Sequence, residues 1–309
     1  MKNPNKSMVL TLPEKCKNIL TSNWQARLNT VSADAKGSKN EVYSSKVKYL
    51  FRKGRPYIWV RKDDKHNVNT IIDGRASIAV SSTCPGAVGS LLRSINKLPA
   101  RVALTGELWP LKDEKLKSIG ETLRDTILSE REIVSQASYS LSSILNSSRI
   151  SSISRSGNLQ DILNGMDNYV PYKFKIGSCI FVDGNGGTSE LKFEDVVASK
   201  TDALSPYAEK LVDGINQSEA RRRALMLFCF VHFDKIARDA LMLSVNRMGF
   251  NVFAKVPSVV ATEGSDQYQW KDFRFSFREE ASDAEAFCHQ LVEMEEQVLE
   301  EVRSFSGVG

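Results

Sequence analysis

The sequence predicts an α+β protein: a small β-barrel followed by a small α-β-β-β-α domain. Three observations lead there. Short runs of alternating apolar residues recur between Glu41 and Leu111, broken by Gly, Pro and Asp turns, the spacing of a small barrel. The β-favouring run Tyr169–Val182 resumes that barrel after a helical stretch. The last third then reads helix, three strands, helix, a module able to bury its own core. A chain of 309 residues, 41% hydrophobic and 26% charged, has room for both units. The expected divisions are a disordered, transit or linker segment over 1–40, a barrel over 41–200 with a Ser-rich insertion at 135–156, and the C-terminal domain over 201–309.

The elements follow in order. Glu41 to Leu50 is rich in Val and Tyr and reads as a strand. Pro56 to Val60 is the next, after the turn Lys53-Gly54-Arg55. Val68 to Ile72 is short and apolar and reads as a strand entered by His66-Asn67-Val68-Asn69, with a turn at Asp73-Gly74. Ala76 to Ser81 and Arg101 to Trp109 alternate as strands on either side of a helix opened by Pro85-Gly86. Leu116, Ile119, Leu123 and Ile127 form a helical stripe. Ser135 to Ser156 holds eleven serines with thin apolar content, which reads as a mobile insertion. In the last third, Ser218 to Ala237 is a helix, Leu241–Val245 and Phe250–Val256 a hairpin, and Trp270–Phe277 a third strand. Phe287, Leu291, Met294, Val298 and Val302 mark a final helix.

Composition narrows the function. Residues 1–56 carry twelve Lys/Arg against three Asp/Glu, and residues 278–309 two against nine. The basic residues are scattered through a Ser/Asn-rich leader without interleaved aromatics, so no nucleic-acid interface is expected. No apolar run reaches the roughly 18 residues of a membrane span. Five widely separated cysteines exclude a zinc or disulfide framework. The leader is basic and poor in acids, as organelle transit peptides are.

Few residues could carry chemistry. His66 and the neighbouring amides offer hydrogen-bonding groups at the head of a short element. Arg75 and Arg101 each open a strand, where a guanidinium can bind phosphate or form a surface ion pair. Ser81-Ser82-Thr83 leads into a helix N-terminus, either as an anion site or as a cap. Asp183 to Gly187 is glycine-rich but opens no helix and lacks the Lys-Ser/Thr ending, so it reads as a hairpin turn. No residue is assigned a catalytic role, and no metal site is expected.

These segments resemble the pyridoxamine-5'-phosphate-oxidase-like, FMN-binding split-barrel family. The nearest branch holds HugZ-type haem-degrading proteins and the plant glutamyl-tRNA-reductase-binding protein. The resemblance rests on Gly54-Arg55-Pro56-Tyr57, His66-Asn67-Val68-Asn69 and Ala76 to Val80. It continues through Ala100 to Gly106, Val182 to Gly187, and Asp202-Ala203-Leu204. It implies a homodimeric plastid protein that binds FMN and performs an oxidoreductase-type reaction on an unidentified substrate. His66 and Asn69 would contact the flavin, Arg75 and Arg101 would neutralise its phosphate, and Ser82 would belong to the same site. Haem is not expected, because the Asn-x-Asp-His run of haem-degrading relatives reads Ile215-Asn216-Gln217-Ser218-Glu219 here. The alternative is a cofactor-free dimeric regulatory module with a plastid protein partner, in tetrapyrrole metabolism as its relatives suggest.

Overall fold

The computed structural model describes residues 9–34, 36–84, 86–145, 155–258 and 267–306. The leader is the first departure from expectation. Thr11 and Glu14 form a reciprocal capping box that starts helix α1 (Leu12–Ser22). Strand β1 (Gln25–Asp34) follows, with Ala26, Leu28 and Thr30 buried at alternate positions. Helix α1 and strand β1 are therefore integral to the barrel, because they carry a cap and a two-residue period that the basic composition masked.

The barrel continues through β2 (Gly37–Arg52), β3 (Arg55–Arg61), helix α2 (His66–Ile72) and β4 (Arg75–Ser81). Helix α3 (Gly86–Ser94), β5 (Arg101–Pro110), α4 (Asp113–Leu145), α5 (Arg155–Asn164), β6 (Tyr169–Val182), β7 (Thr188–Leu191) and α6 (Phe193–Ala198) complete this part. Strand order is β3-β2-β1-β4-β5-β6-β7, with β3 also pairing with β6, so the six strands β1 to β6 close on themselves. Every neighbouring pair is antiparallel. Lys53 and Gly54 join β2 to β3 with φ of 48° and 71°, as a tight hairpin of matching twist demands. A Cβ on Gly54 would also meet Val197 at 3.0 Å.

Two expected elements change class. Val68–Ile72 lies in helix α2, not a strand. Its buried residues, His66 and Asn69, recur at helical spacing, and the Thr70 hydroxyl bonds back to the His66 carbonyl. Of the Ser-rich insertion, Ser135–Leu145 continues α4, while Arg155 and Ser156 open α5. Residues 146–154 lie outside the described residues. Serine is only mildly unfavourable in a helix, and no proline interrupts α4.

The C-terminal domain is built from α7 (Ala208–Gln217), α8 (Glu219–Phe233), β8 (Asp239–Asn246), β9 (Gly249–Pro257), β10 (Tyr268–Ser276) and α9 (Ala284–Ser306). Its sheet runs β10-β9-β8. Helices α6 and α7 were not expected from sequence, since both are short and sit beside turn-like residues.

Apolar burial ties the parts together. Leu28, Ile58, Val60, Ile78, Val80, Val102, Leu104 and Phe174 fill the barrel, and Cys16, Ile19 and Leu20 of α1 join the same core. On the outside of β2 and β3, Leu50 and Trp59 are covered by Ile119, Leu123 and Ile127 of α4 and by Leu159 and Ile162 of α5. Val88 and Leu92 of α3 pack into the C-terminal core with Phe228, Phe250 and Phe287. Among the described residues, no helix is long and apolar enough to cross a membrane.

Candidate functional site

Helix α2 lies on β1 and is held there by a closed polar cluster. The Thr30 hydroxyl lies 2.8 Å from His66 Nδ1 and accepts from Asn69 Nδ2 at 2.9 Å. His66 Nε2 is 3.0 Å from the Ser45 hydroxyl, and Asn69 Oδ1 accepts from the Ala33 amide at 3.0 Å. Tyr43 packs against the imidazole at 4.7 Å between centroids. Asp64 caps the helix: Oδ1 accepts from the His66 amide at 2.9 Å, and Oδ2 lies 3.4 Å from the Ser45 hydroxyl. His66 is 0% exposed and Asn69 3%. Both ring nitrogens of His66 are engaged, so the pair fixes α2 rather than facing a ligand.

Burial pushes the His66 imidazole below its ordinary value of 6.5, against the pull of the Asp64 carboxylate. The sign of the linkage follows. As pH falls below about 6.5 the unfolded chain takes up the proton first, so stability is full above that point and drains away beneath it. The slope from this one group is at most about 1.4 kcal/mol per pH unit. We expect thermal melts between pH 7 and pH 5 to fall less steeply for His66→Gln than for the parent chain; parallel curves would reject this.

Arg75 stands at the start of β4, with its side chain 73% exposed and paired to Asp73 at 2.6 Å. That guanidinium holds the Asp73 carboxyl down to about 2. Arg101 is far from it. In the β4–β5 ladder Arg75 pairs with Glu107 and Ser81 with Arg101, which places the two arginines at opposite ends, roughly 20 Å apart at strand rise. Within one chain they cannot grip the same phosphate. Ser82 sits at the Arg101 end, where its amide donates to the Ala100 carbonyl at 2.7 Å. The five residues expected to share a site therefore divide into a closed cluster (His66, Asn69), an exposed arginine, and a separate pair (Ser82, Arg101).

A different surface brings polar groups together. The inward residues of β4 and β5 are Ile78, Val80, Val102 and Leu104, so Ser77, Ala79, Ala103 and Thr105 face outward. On this outer face Asn29 donates to the Ser77 hydroxyl at 3.0 Å, and the Thr105 and Ser178 hydroxyls lie 2.6 Å apart. A shallow hollow of about 420 Å³ lies here, with Asn29, Val31, Val42, Ser77 and Thr105 on its floor and Arg75 at its rim. Gly106 is obligatory beside it: a Cβ there would fall 2.0 Å from the Lys175 carbonyl oxygen, at the register shift between β5 and β6. The signal for this face was present in the sequence as alternation with small outward residues, but small residues alone do not announce a site.

Sequence reading also missed Arg247, which is 3% exposed beneath the junction of barrel and C-terminal domain. Its guanidinium reaches Glu14 of α1 at 2.6 Å, Glu280 at 3.2 Å and Asp202 at 3.7 Å. Among the described residues, no group of His, Cys, Asp and Glu could hold a metal ion.

No protein-family model and no curated protein matches the sequence. Solved structures do match. A haem-binding protein from Mycobacterium smegmatis aligns over 95% of this chain and 99% of its own, with a TM-score of 0.53 and 16% identity. ChuZ from Campylobacter jejuni aligns over 62% of this chain and 63% of its own, with a TM-score of 0.39 and 16% identity. A putative pyridoxamine 5'-phosphate oxidase from Listeria innocua aligns over 56% of this chain and 99% of its own, at 0.32 and 13%. The first of these alignments runs through both the barrel and the C-terminal domain.

Proposed function

We propose, from the premise that this chain has the split-barrel fold of the pyridoxamine-phosphate-oxidase-like proteins, that it binds FMN on the outer face of β1, β4 and β5. The observation that carries this reading is the hollow of about 420 Å³ with its flat, small-residue floor and Arg75 at the rim. A planar ring system needs such a floor, and Asn29, Ser77 and Thr105 offer hydrogen-bonding groups to its edge. The exposed edge of the Arg75 guanidinium suits a phosphate. In this reading a second copy of the chain supplies the opposing wall of the hollow, which is open on its outer side. His66 and Asn69 do not fit a cofactor role, because they are buried and fully bonded.

A bound flavin would supply the redox chemistry. The floor of the hollow carries hydrogen-bonding groups and no carboxylate, histidine or cysteine, so the contribution of these residues is to hold and orient. Among the described residues lining the hollow there is no histidine, cysteine, tyrosine or methionine to ligate a haem iron. The reading extends to an oxidoreductase-type reaction in the plastid, supported by the resemblance and by the basic, acid-poor start of the chain.

One observation favours a second reading, a cofactor-free dimeric regulatory module with a partner in plastid tetrapyrrole metabolism. Asp73 already pairs with Arg75 at 2.6 Å, an internal carboxylate on the cation that a flavin phosphate would otherwise use. Titration of FMN against the purified protein separates the two. The flavin reading expects saturable quenching of flavin fluorescence, weakened about tenfold by Arg75→Ala, the equivalent of about 1.4 kcal/mol. No quenching with FMN in large excess leaves the regulatory module.

A further inference from the structure

A second cavity lies away from the outer face. It measures about 580 Å³ and is formed by α1, the β2–β3 turn, α4, the start of α5 and the first turn of α7. Arg52, at one wall, belongs to the end of β2 opposite to Val42, which lines the hollow. No residue lines both sites.

Its charges are unevenly matched. Of the three carboxylates on its walls, Asp202 is spent on Arg247 and Glu130 on Arg155. Glu209 has no hydrogen-bonding partner among the described residues, and burial together with neighbouring Asp213 pushes its carboxyl up. The cations are freer. Lys17 donates to the main-chain oxygens of Val197, at 2.8 Å, and Ser199, neither of which cancels its charge. Among the described residues Arg52 reaches the Thr126 hydroxyl, at 3.5 Å, and no carboxylate. Lys210 is half-buried with no hydrogen bond or ion pair among the described residues, and burial pushes its ammonium below the ordinary range. Lys17, Arg52 and Lys210, with Lys53 of the β2–β3 turn, thus face one cavity with no carboxylate partner among the described residues. Beside them Phe51, Val197 and Pro206 give it an apolar wall.

We propose that this cavity binds a small phosphate monoester, with the phosphate between Arg52, Lys17 and Lys210 and an organic body against Phe51, Val197 and Pro206. A dianion answers all three cations at once, and charge-assisted contacts from an arginine fork and two lysines are the usual means of holding one. The volume exceeds what inorganic phosphate needs and lies within the range of small-molecule sites. The site stands apart from the outer face, and its existence does not depend on flavin binding there.

The test is isothermal titration of the full-length chain with adenosine 5'-monophosphate, inorganic phosphate and adenosine. The monophosphate should bind, phosphate should bind more weakly, and adenosine should give no heat. Arg52→Ala and Lys210→Ala, each checked for an unchanged circular dichroism spectrum, should each weaken the monophosphate about tenfold or more. Arg75→Ala, on the other face, should leave it unchanged. Absence of monophosphate binding, equal binding of adenosine, or unchanged affinity in both cavity variants would overturn the proposal, whatever FMN does.

Discussion

A chain lacking residues 1–40 is expected not to fold. The cut removes α1 and the whole of β1, the strand between β2 and β4. It deletes Cys16, Ile19, Leu20, Ala26 and Leu28 from the barrel core and leaves the facing edges of β2 and β4 unpaired. Each large buried apolar side chain contributes about 1.5–3 kcal/mol, and the lost ladder adds to that, so the loss is of the same order as the roughly 5–15 kcal/mol of a whole domain. Thr30 goes too, and with it the anchor of His66 and Asn69. Expression of chains starting at residues 9 and 41 checks this directly. The first keeps every described contact and should be soluble and cooperative on melting. Soluble, cooperative folding of the second would mean that β1 is dispensable. Any processing of the leader compatible with the fold must stop short of α1.

Arg247→Met is the point substitution expected to cost most. The arginine is buried beside three carboxylates drawn from α1, the segment before α7 and the loop before α9. Asp202 also accepts the Arg247 amide and caps the following turn through the Leu204 amide, so its position survives the substitution while its counter-charge does not. Breaking a buried pair by removing one partner costs about 3–5 kcal/mol, because an uncompensated charge stays behind. Denaturant titration should show that loss. Asp202→Asn in the same chain should return part of it, since the stranded charge is then gone. A change under about 1 kcal/mol would place the cluster among weak surface pairs and remove it as the clamp between α1 and the C-terminal domain.

Much of the architecture was legible because its periods are strong. Ile78/Val80 and Val102/Leu104 alternate cleanly, and both strands appear as read. The same holds for the β8–β9 hairpin and the long C-terminal helix. Errors arose where composition outweighed pattern. Lysines, serines and asparagines in residues 1–40 hid the buried Ala26-x-Leu28-x-Thr30 alternation. In α2, β-branched residues suggested a strand, while the tertiary bonds of His66 and Asn69 to β1 decided for a helix. Site assignment suffered from a different problem. His66 and Asn69 look like ligand groups in sequence because polarity is visible there and burial is not. That Arg75 and Arg101 sit at opposite ends of one ladder follows only from register. The cavity under α1 draws on segments far apart in the chain, from Lys17 to Lys210, so no local motif could announce it.

We propose the outer face of β1, β4 and β5 as the ligand face. Ser77 projects from its floor and touches Asn29 through a single hydrogen bond, so a bulky residue there should fill the hollow without disturbing the core. The most direct measurement is a fluorescence titration of FMN against Ser77→Trp, beside the parent chain and with both melting curves recorded. Saturable quenching by the parent, an unchanged melt for the variant and loss of its quenching are expected. Undiminished FMN binding by a folded Ser77→Trp chain would contradict that assignment.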